Sequence, residues 1–497
     1  MRHSCLANRR WRRWIVAVLL VQAVYLYLIW NRMDDLFDLA EDFPQQRPIN
    51  ETAEELDAHR YLEALVKGNA EIAPVVESAK MPEISLSCRN KFAALNVQEG
   101  GWLHQNRWWL FSAYEDRRPN SLYPVLRTSI QIIASTYHVV AEDERWFCHV
   151  VNRYDQTLRV RAHFRLIWQR AWDPRLTFYN PYLITCGLPN DFDVSGGAAV
   201  SLKGKRCPNE NTTFVPVTLV PQPQRTEEGP PRVAVCVKGL DFFEDKRREL
   251  AEWFLLQFAL GADSITTYVY HVPSETRKLL ETIAMDYTMT IVDLTLPGNV
   301  TNEPAERHAY IWGNYPQKRR NELIPYNDCF YRYSHTHDYV LLVDTDEVVV
   351  PLRHSNWSAM VDEFTAGFRR NATSLSVRNV FKFPADGEPA GLVGRRFRAA
   401  DVQDAGVSGK SFISTRTAAT VFNHFALHRQ HGDVQRTAHL PADWALKLHF
   451  KTDCPADYKQ KCADLKAKRV PDDSLDRWRA DILKKVVEYV PEETGME

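Results

Sequence analysis

Four consecutive residues, Asp344, Thr345, Asp346 and Glu347, follow the apolar run YVLLV at 339–343 and precede VVVP. Asp344 and Asp346 lie two apart, so in extended backbone both side chains leave the chain on one face. Two carboxylates brought to one point repel each other. A divalent cation with oxygen ligands relieves that repulsion and also takes substrate phosphates. Mn²⁺ suits such a site because it accepts both carboxylate and phosphate oxygens. The chemistry this pattern predicts is diphosphate binding at the end of a buried strand. A bare D-x-D also occurs in solvated turns, and the elements around this one decide between the two.

From residue 233 those elements alternate. VAVCVKGL is a continuous apolar run, as a buried parallel strand should be. KRRELAEWFLLQFALGA has helical spacing, SITTYVYHV is a second strand, SETRKLLETIAMDY a second helix and MTIVDLTL a third strand. NELIPYNDCFYRYSHT then reads as a helix leading into YVLLVDTDEVVV. Such alternation predicts a mixed, mostly parallel α/β sheet covered by helices. Ligands of open α/β sheets bind at the carboxyl ends of the strands, where Asp344 begins. No G-x-G-x-x-G or G-x-x-x-x-G-K-[ST] follows the first strand, which removes the usual dinucleotide and P-loop sites.

Before this region, residues 81–215 carry short strand-like runs such as SIQIIASTYHVV and LRVRAHFRLIW, predicting an antiparallel β-rich accessory module. It holds no catalytic spacing, and Trp102, Trp108, Trp109 and Trp146 are expected in its core rather than on a sugar. Residues 216–232, PVTLVPQPQRTEEGPPR, form a linker.

The N-terminus carries a membrane address. Residues 14–30, WIVAVLLVQAVYLYLIW, contain no charge. As a helix they span about 25 Å, at the low end for a bilayer core. Arg2, Arg9, Arg10, Arg12 and Arg13 precede them and Asp34, Asp35, Asp38, Glu41 and Asp42 follow. The positive-inside rule places 1–13 in the cytosol and the rest in the lumen. The bulky end YLYLIW lacks the small residues a signal-peptidase site needs, so the segment is expected to stay as a type II signal anchor. Its shortness suits a Golgi membrane. The expected layout is a cytosolic tail 1–13, transmembrane anchor 14–30, acidic stem 31–80, β-rich module 81–215, linker 216–232, α/β domain 233–455 and helical tail 456–497.

Composition agrees. Of 497 residues, 45% are hydrophobic and 25% charged, as in a globular protein. Lys plus Arg is 62 and Asp plus Glu 63, so no global basic field exists to hold nucleic acid. Beyond Cys5, an even set of cysteines (88, 148, 186, 207, 236, 329, 454 and 462) faces an oxidising lumen. The pairing stays open, with Cys454–Cys462 the easiest local guess.

Residues 232–452 resemble glycosyltransferase family 92. The likeness rests on ordered blocks: VAVCVKGL at 233–240, AEW at 251–253, IPYNDCFYR at 324–332, VLLVDTDEVVVP at 340–351, GLVGRRF at 391–397, GKSFISTRTA at 409–418 and LHFK at 448–451. The resemblance implies a GT-A fold, a UDP-sugar donor, UDP-galactose in characterised members, and inverting β-galactosyl transfer onto a glycan, including N-glycans and their core fucose. Asp344 and Asp346 become the metal and diphosphate ligands, and His449 a third metal ligand. Lys410 neutralises diphosphate, and Val237, Lys238 and Gly239 end the strand where uridine should lie. Inversion also needs a carboxylate to take the acceptor's proton. Asp386, Glu388, Asp401, Asp404 and Asp433 are candidates, with Asp404 and Glu388 favoured. Trp312 and Tyr315 are candidates for stacking on sugar faces, with core burial the alternative. The segment FPADGEP at 383–389 and the Phe and Lys of HFK depart from the family's small-residue loop and His-Tyr-Arg. Three other readings compete: a transferase using another UDP-sugar, a silent membrane-anchored lectin, and a metal-dependent hydrolase.

Overall fold

Uninterrupted apolar runs build the centre of the α/β half. In the computed structural model, β1 (Val233–Asp241), β2 (Ser264–His271), β3 (Met289–Asp293) and β4 (Tyr339–Leu342) are parallel in the order β3-β2-β1-β4. Beyond β4 the sheet turns mixed. β8 (Lys410–Ser414) runs antiparallel to β4 and to β6 (Ala372–Val377), and β9 (Gln435–His439) closes the far edge parallel to β6. A second, three-stranded sheet holds β5 (Glu347–Pro351), β10 (Ala445–Phe450) and β7 (Asn379–Lys382) in the order β5-β10-β7. The described residues are 96–97 and most of 101–491, the longest omissions within that span being 222–228 and 453–458. The expected cytosolic tail, membrane anchor and stem lie outside them, as do Cys88, Cys207 and Cys454. Among the described residues no helix is long and apolar enough to cross a membrane.

Helices α1 (Arg247–Leu260), α2 (Ser274–Asp286), α3 (Pro304–Gly313), α4 (Tyr315–Asn321) and α5 (Leu323–Tyr333) fill the crossovers between the parallel strands, and α6 (Trp357–Ala366) follows β5. Two more, α7 (Lys459–Ala467) and α8 (Asp476–Tyr489), end the chain. Ile482 and Val486 of α8 enter the same core as Trp253 and Leu256 of α1, so the expected helical tail completes the α/β half. The free edge of β5 poses a problem, because its outward carbonyls are buried. Two fully buried tryptophans solve it. Trp253 Nε1 donates to Glu347 O and Trp357 Nε1 to Val349 O, each at 2.8 Å.

The accessory module is a nine-stranded sheet between Asn96 and Thr218, and its predicted runs appear as strands Thr128–Tyr137, Phe147–Asn152, Thr157–Leu166 and Tyr179–Leu188. Its neighbouring strands are mostly antiparallel, as expected, but the sheet partly closes on itself through parallel pairing of Ala113 with Val217. Trp108 and Trp146 meet in its core, while Trp109 stacks on His104. Cys148 and Cys186 join two of its strands by a disulfide.

The module is built into the α/β half. Tyr114, Ile133 and Leu183 share one buried cluster with Cys236, Tyr268, Tyr326 and Phe330. The Asn327-Asp328-Cys329 triplet of α5 is the hub. Asn327 bonds to both the N–H and the C=O of Val421, at 2.9 and 3.0 Å. Buried Asp328 accepts from Tyr114 of the module at 2.6 Å and from Tyr268 of β2, with Arg332 at 3.3 Å. Cys329 is disulfide-bonded to Cys236 of β1. Farther along, Gly298 is left-handed (φ 85°), and a Cβ there would lie 2.1 Å from the Tyr179 hydroxyl, so only glycine lets this loop cross the module.

A carboxylate buried at that junction makes the two halves one cooperative unit. Tyr114→Phe removes one of its donors and should cost about 1.5–3 kcal/mol. Scanning calorimetry is expected to show the module and the α/β half unfolding in a single transition that this substitution lowers; two separate transitions would contradict the shared core.

Candidate functional site

Strand β4 ends against β1, with Cys236 opposite Leu342, and carries the chain to the carboxyl edge of the sheet. There residues 344–347 form a tight turn, closed by Glu347 N donating to Asp344 O at 2.9 Å, before β5 starts in the other sheet. The two aspartates therefore sit in a turn rather than in the extended backbone expected, because the chain must change sheets at this point. Glu347 pairs with His449 across β5 and β10, which brings the DTDE and LHFK blocks together.

Each carboxylate meets its own cations. Asp344 lies 3.0 Å from Lys238 and 3.7 Å from Lys410, and accepts from Tyr326 OH at 3.2 Å. Glu347 lies 2.6 Å from Lys447 and 3.3 Å from Lys410, and accepts from Asp344 N at 3.2 Å. Asp346 lies 2.6 Å from Lys451 and 3.4 Å from His449 Nε2. Burial alone would push the Asp344 and Glu347 carboxyls up. Lys238 and Lys410 outweigh it at Asp344, and Lys410 and Lys447 at Glu347, so both stay well below the usual carboxylate range. Asp346 is lowered too, burial again opposing and His449 and Lys451 prevailing. Burial lowers the His449 imidazole, opposed by its hydrogen bond to Asp346.

The sequence candidates divide. Asp344, Asp346, His449, Lys410 and Lys238 come together. Lys410 is fully buried and also donates to Asn423 O and Oδ1, at 3.1 and 3.0 Å. Val237 is a core residue at 1% exposure, with its side chain among β1's packing neighbours. At Gly239 a Cβ would come within 2.5 Å of the Tyr270 ring, so the glycine makes room for that ring. Glu388 accepts from Ala385 N and Arg396 N, at 2.8 and 2.5 Å, and ties its own loop. Asp404 is exposed on the loop leading into Lys410. Among the described residues neither Asp404 nor Glu388 bonds to the DTDE turn. Asp386 and Asp433 lie outside the described residues. Trp312 and Tyr315, undecided from sequence, are 58% and 55% exposed, with Lys318 Nζ 3.5 Å from the Trp312 ring centre and the Arg319 guanidinium 4.9 Å from that of Tyr315.

Sequence reasoning overlooked Lys447, Lys451, Tyr326 and Glu322. The two lysines had a signal: Lys447, His449 and Lys451 alternate, so all three share one side of the strand. Glu322 had none. It bridges Lys238 at 3.2 Å to Arg319 at 3.3 Å only through the fold.

Behind Lys410 lies His424, which donates Nδ1–H to Gly409 O at 2.6 Å. Burial, with Lys410 and Lys447 nearby, pushes its pKa down to about 3. The unfolded chain protonates near pH 6.5. Between pH 6.5 and about 3 the unfolded state therefore takes up a proton that the native state refuses, and stability falls as pH falls. The loss approaches about 1.4 kcal/mol per pH unit. Urea unfolding at pH 7, 6 and 5 should show this slope, and His424→Asn should reduce it, with His149 and His428 keeping a share. An unchanged slope in the variant would refute the assignment.

Comparison with known proteins follows the same blocks. Glycosyltransferase family 92 matches residues 231–486, just over half of the chain. No curated protein matches the chain. Among solved structures, S. aureus TarS 1–349 in complex with UDP-GlcNAc is similar at 10% identity and a TM-score of 0.24, over 52% of this chain and 67% of that one. A second structure of S. aureus TarS 1–349 is similar at 10% identity and a TM-score of 0.19, over 52% and 66%. With its DTDE turn, NDC hub and LHFK strand all inside the matched span, the chain belongs to glycosyltransferase family 92.

Proposed function

We propose that this protein is a metal-dependent, inverting transferase of GT-A type that moves a hexose, galactose, from a UDP-sugar to a glycan of the N-glycan class. The observation that carries the reading is the DTDE turn at the carboxyl edge of a mostly parallel sheet, ringed by Lys238, Lys410 and Lys451. The family supports the transferase class; galactose and the N-glycan acceptor come from the family's characterised members.

The residues fit a divalent cation. Asp346 and His449 offer a carboxylate oxygen and a ring nitrogen 3.4 Å apart, a separation close to that of neighbouring ligands on one small ion. Among the described residues no group of three His, Cys, Asp or Glu side chains forms a complete cage. Such ions commonly take one or two protein ligands and draw the rest from substrate phosphates. When bound, Mn²⁺ would supply a counter-charge for the diphosphate.

The chain's own residues do the rest. Lys238, Lys410 and Lys451 place positive charge where negative charge builds on the departing UDP. The acceptor hydroxyl attacks the anomeric carbon, its oxygen forms the new bond as the bond to the diphosphate breaks, and its proton passes to a carboxylate. We assign that role to Asp404 over Glu388, because Glu388 is committed to two backbone amides. Trp312 and Tyr315, each with a cation over one ring face, are exposed enough for an acceptor sugar to stack on the other. Residues 14–30 anchor the protein in the Golgi membrane with the rest lumenal, and the Cys148–Cys186 and Cys236–Cys329 disulfides suit that oxidising compartment.

The test follows UDP release and product mass with a panel of UDP-sugars, an N-glycan mixture and Mn²⁺. Galactose transfer is expected, abolished by EDTA and reduced at least ~100-fold by Asp346→Ala. Asp404→Asn is expected to lower kcat while leaving UDP affinity unchanged. Glycan binding without turnover from any donor, surviving EDTA, would make the protein a lectin. Free sugar released with no acceptor requirement would make it a hydrolase.

A further inference from the structure

Helix α4 has two faces with different duties. Gln317, Arg320 and Asn321 point into the accessory module and are buried. Gln317 and Tyr179 exchange a pair of hydrogen bonds: Tyr179 N donates to Gln317 Oε1 at 2.9 Å, and Gln317 Nε2 donates to Tyr179 O at 3.0 Å. The Arg320 guanidinium lies over the rings of Trp168 and Phe178, at 4.1 and 4.3 Å, and donates to Asn180 Oδ1 at 3.2 Å and Arg175 O at 2.6 Å. Lys318 and Arg319, between these anchors, take the other side. Arg319 reaches Glu322, Glu322 reaches Lys238, and Lys238 reaches Asp344. Lys318, next to Arg319 on the same turn of the helix, lies with its Nζ 3.5 Å from the Trp312 ring centre.

A seven-residue helix has little stability of its own, so the contacts along its buried face fix its place. We propose that the β-rich module is a working part of the donor site: through Gln317 and Arg320 it holds α4 so that Lys318 and Arg319 supply positive charge to the UDP-sugar's diphosphate. Gln317 and Arg320 are positioning residues that act through Lys318 and Arg319. This rests on the UDP-sugar reading above.

The test is a double-mutant cycle on the full chain, read as UDP affinity by calorimetry in the presence of Mn²⁺, with thermal unfolding measured alongside. Gln317→Leu alone and Lys318→Ala/Arg319→Ala together should each weaken UDP roughly five- to thirty-fold. In the combined variant Gln317→Leu should add nothing, because the groups it positions are gone. If Gln317→Leu does not fold, Arg320→Lys takes its place in the cycle, since it keeps the charge and loses the fork to Asn180 and Arg175. Additive losses, or a drop in unfolding temperature with UDP affinity unchanged, overturn the inference and leave the transferase reading standing. A wild-type chain that binds no UDP overturns both.

Discussion

Three carboxylates within four residues, Glu347 buried and Asp344 and Asp346 half-buried, cannot sit together unless cations come with them. A buried charge without a partner is expelled or neutralised. Here Lys238 comes from β1, Lys410 from β8, Lys447 from β10 and Lys451 from just beyond it. No single hairpin supplies them. The DTDE turn can exist only when the parallel sheet and the second sheet are both in place, because each brings cations the turn needs. Removing one partner of such a pair strands the other and costs about 3–5 kcal/mol. The site and the fold are therefore held by the same interactions.

The same logic explains α5. This helix points three consecutive residues in three directions, each to a different structure: Asn327 to the loop at Val421, Asp328 to the accessory module and β2, Cys329 to β1. Tyr326, one residue earlier, bonds to Asp344. The helix that joins the halves thus also touches the site. A displacement of the module has a short mechanical route to the carboxylates, through α5 and through the neighbouring α4.

What the sequence revealed follows what was periodic or local. The strands at 233–241 and 339–342 are legible as continuous apolar runs, the one at 264–271 by its place in the strand–helix alternation, and the module's strands by their β-branched and aromatic content. Asp344 and Asp346 are legible from their spacing at the end of an apolar strand, and His449 from the resemblance of the LHFK block to the family. Glu322 and the Arg320 contacts were not, because partners as far as 145 residues away in the chain create their meaning, and Tyr326 meets Asp344 only once α5 packs under the turn. The general base stayed unresolved for a related reason. Asp401, Asp404 and Glu388 lie on irregular loops, where spacing carries no directional information, and only hydrogen bonding separates the committed Glu388 from the exposed Asp404. The expected linker at 216–232 starts inside a module strand, Thr213–Thr218, and packing between module and α/β half continues across it.

Charge balance links the fold to the proposed chemistry. Asp344, Asp346, Glu347 and Glu322 face Lys238, Lys410, Lys447, Lys451 and Arg319, so four carboxylates meet five cations and the cluster is close to neutral. Such a cluster has little net field with which to capture a bare diphosphate. On the proposed reading, a diphosphate carried by a divalent cation would add almost no net charge, and Lys238, Lys410 and Lys451 would face it as their carboxylate partners turned to the cation. The proposed donor and cation would then bind as a pair. The lysines that hold the turn together would be the ones facing the diphosphate as the bond to the sugar broke.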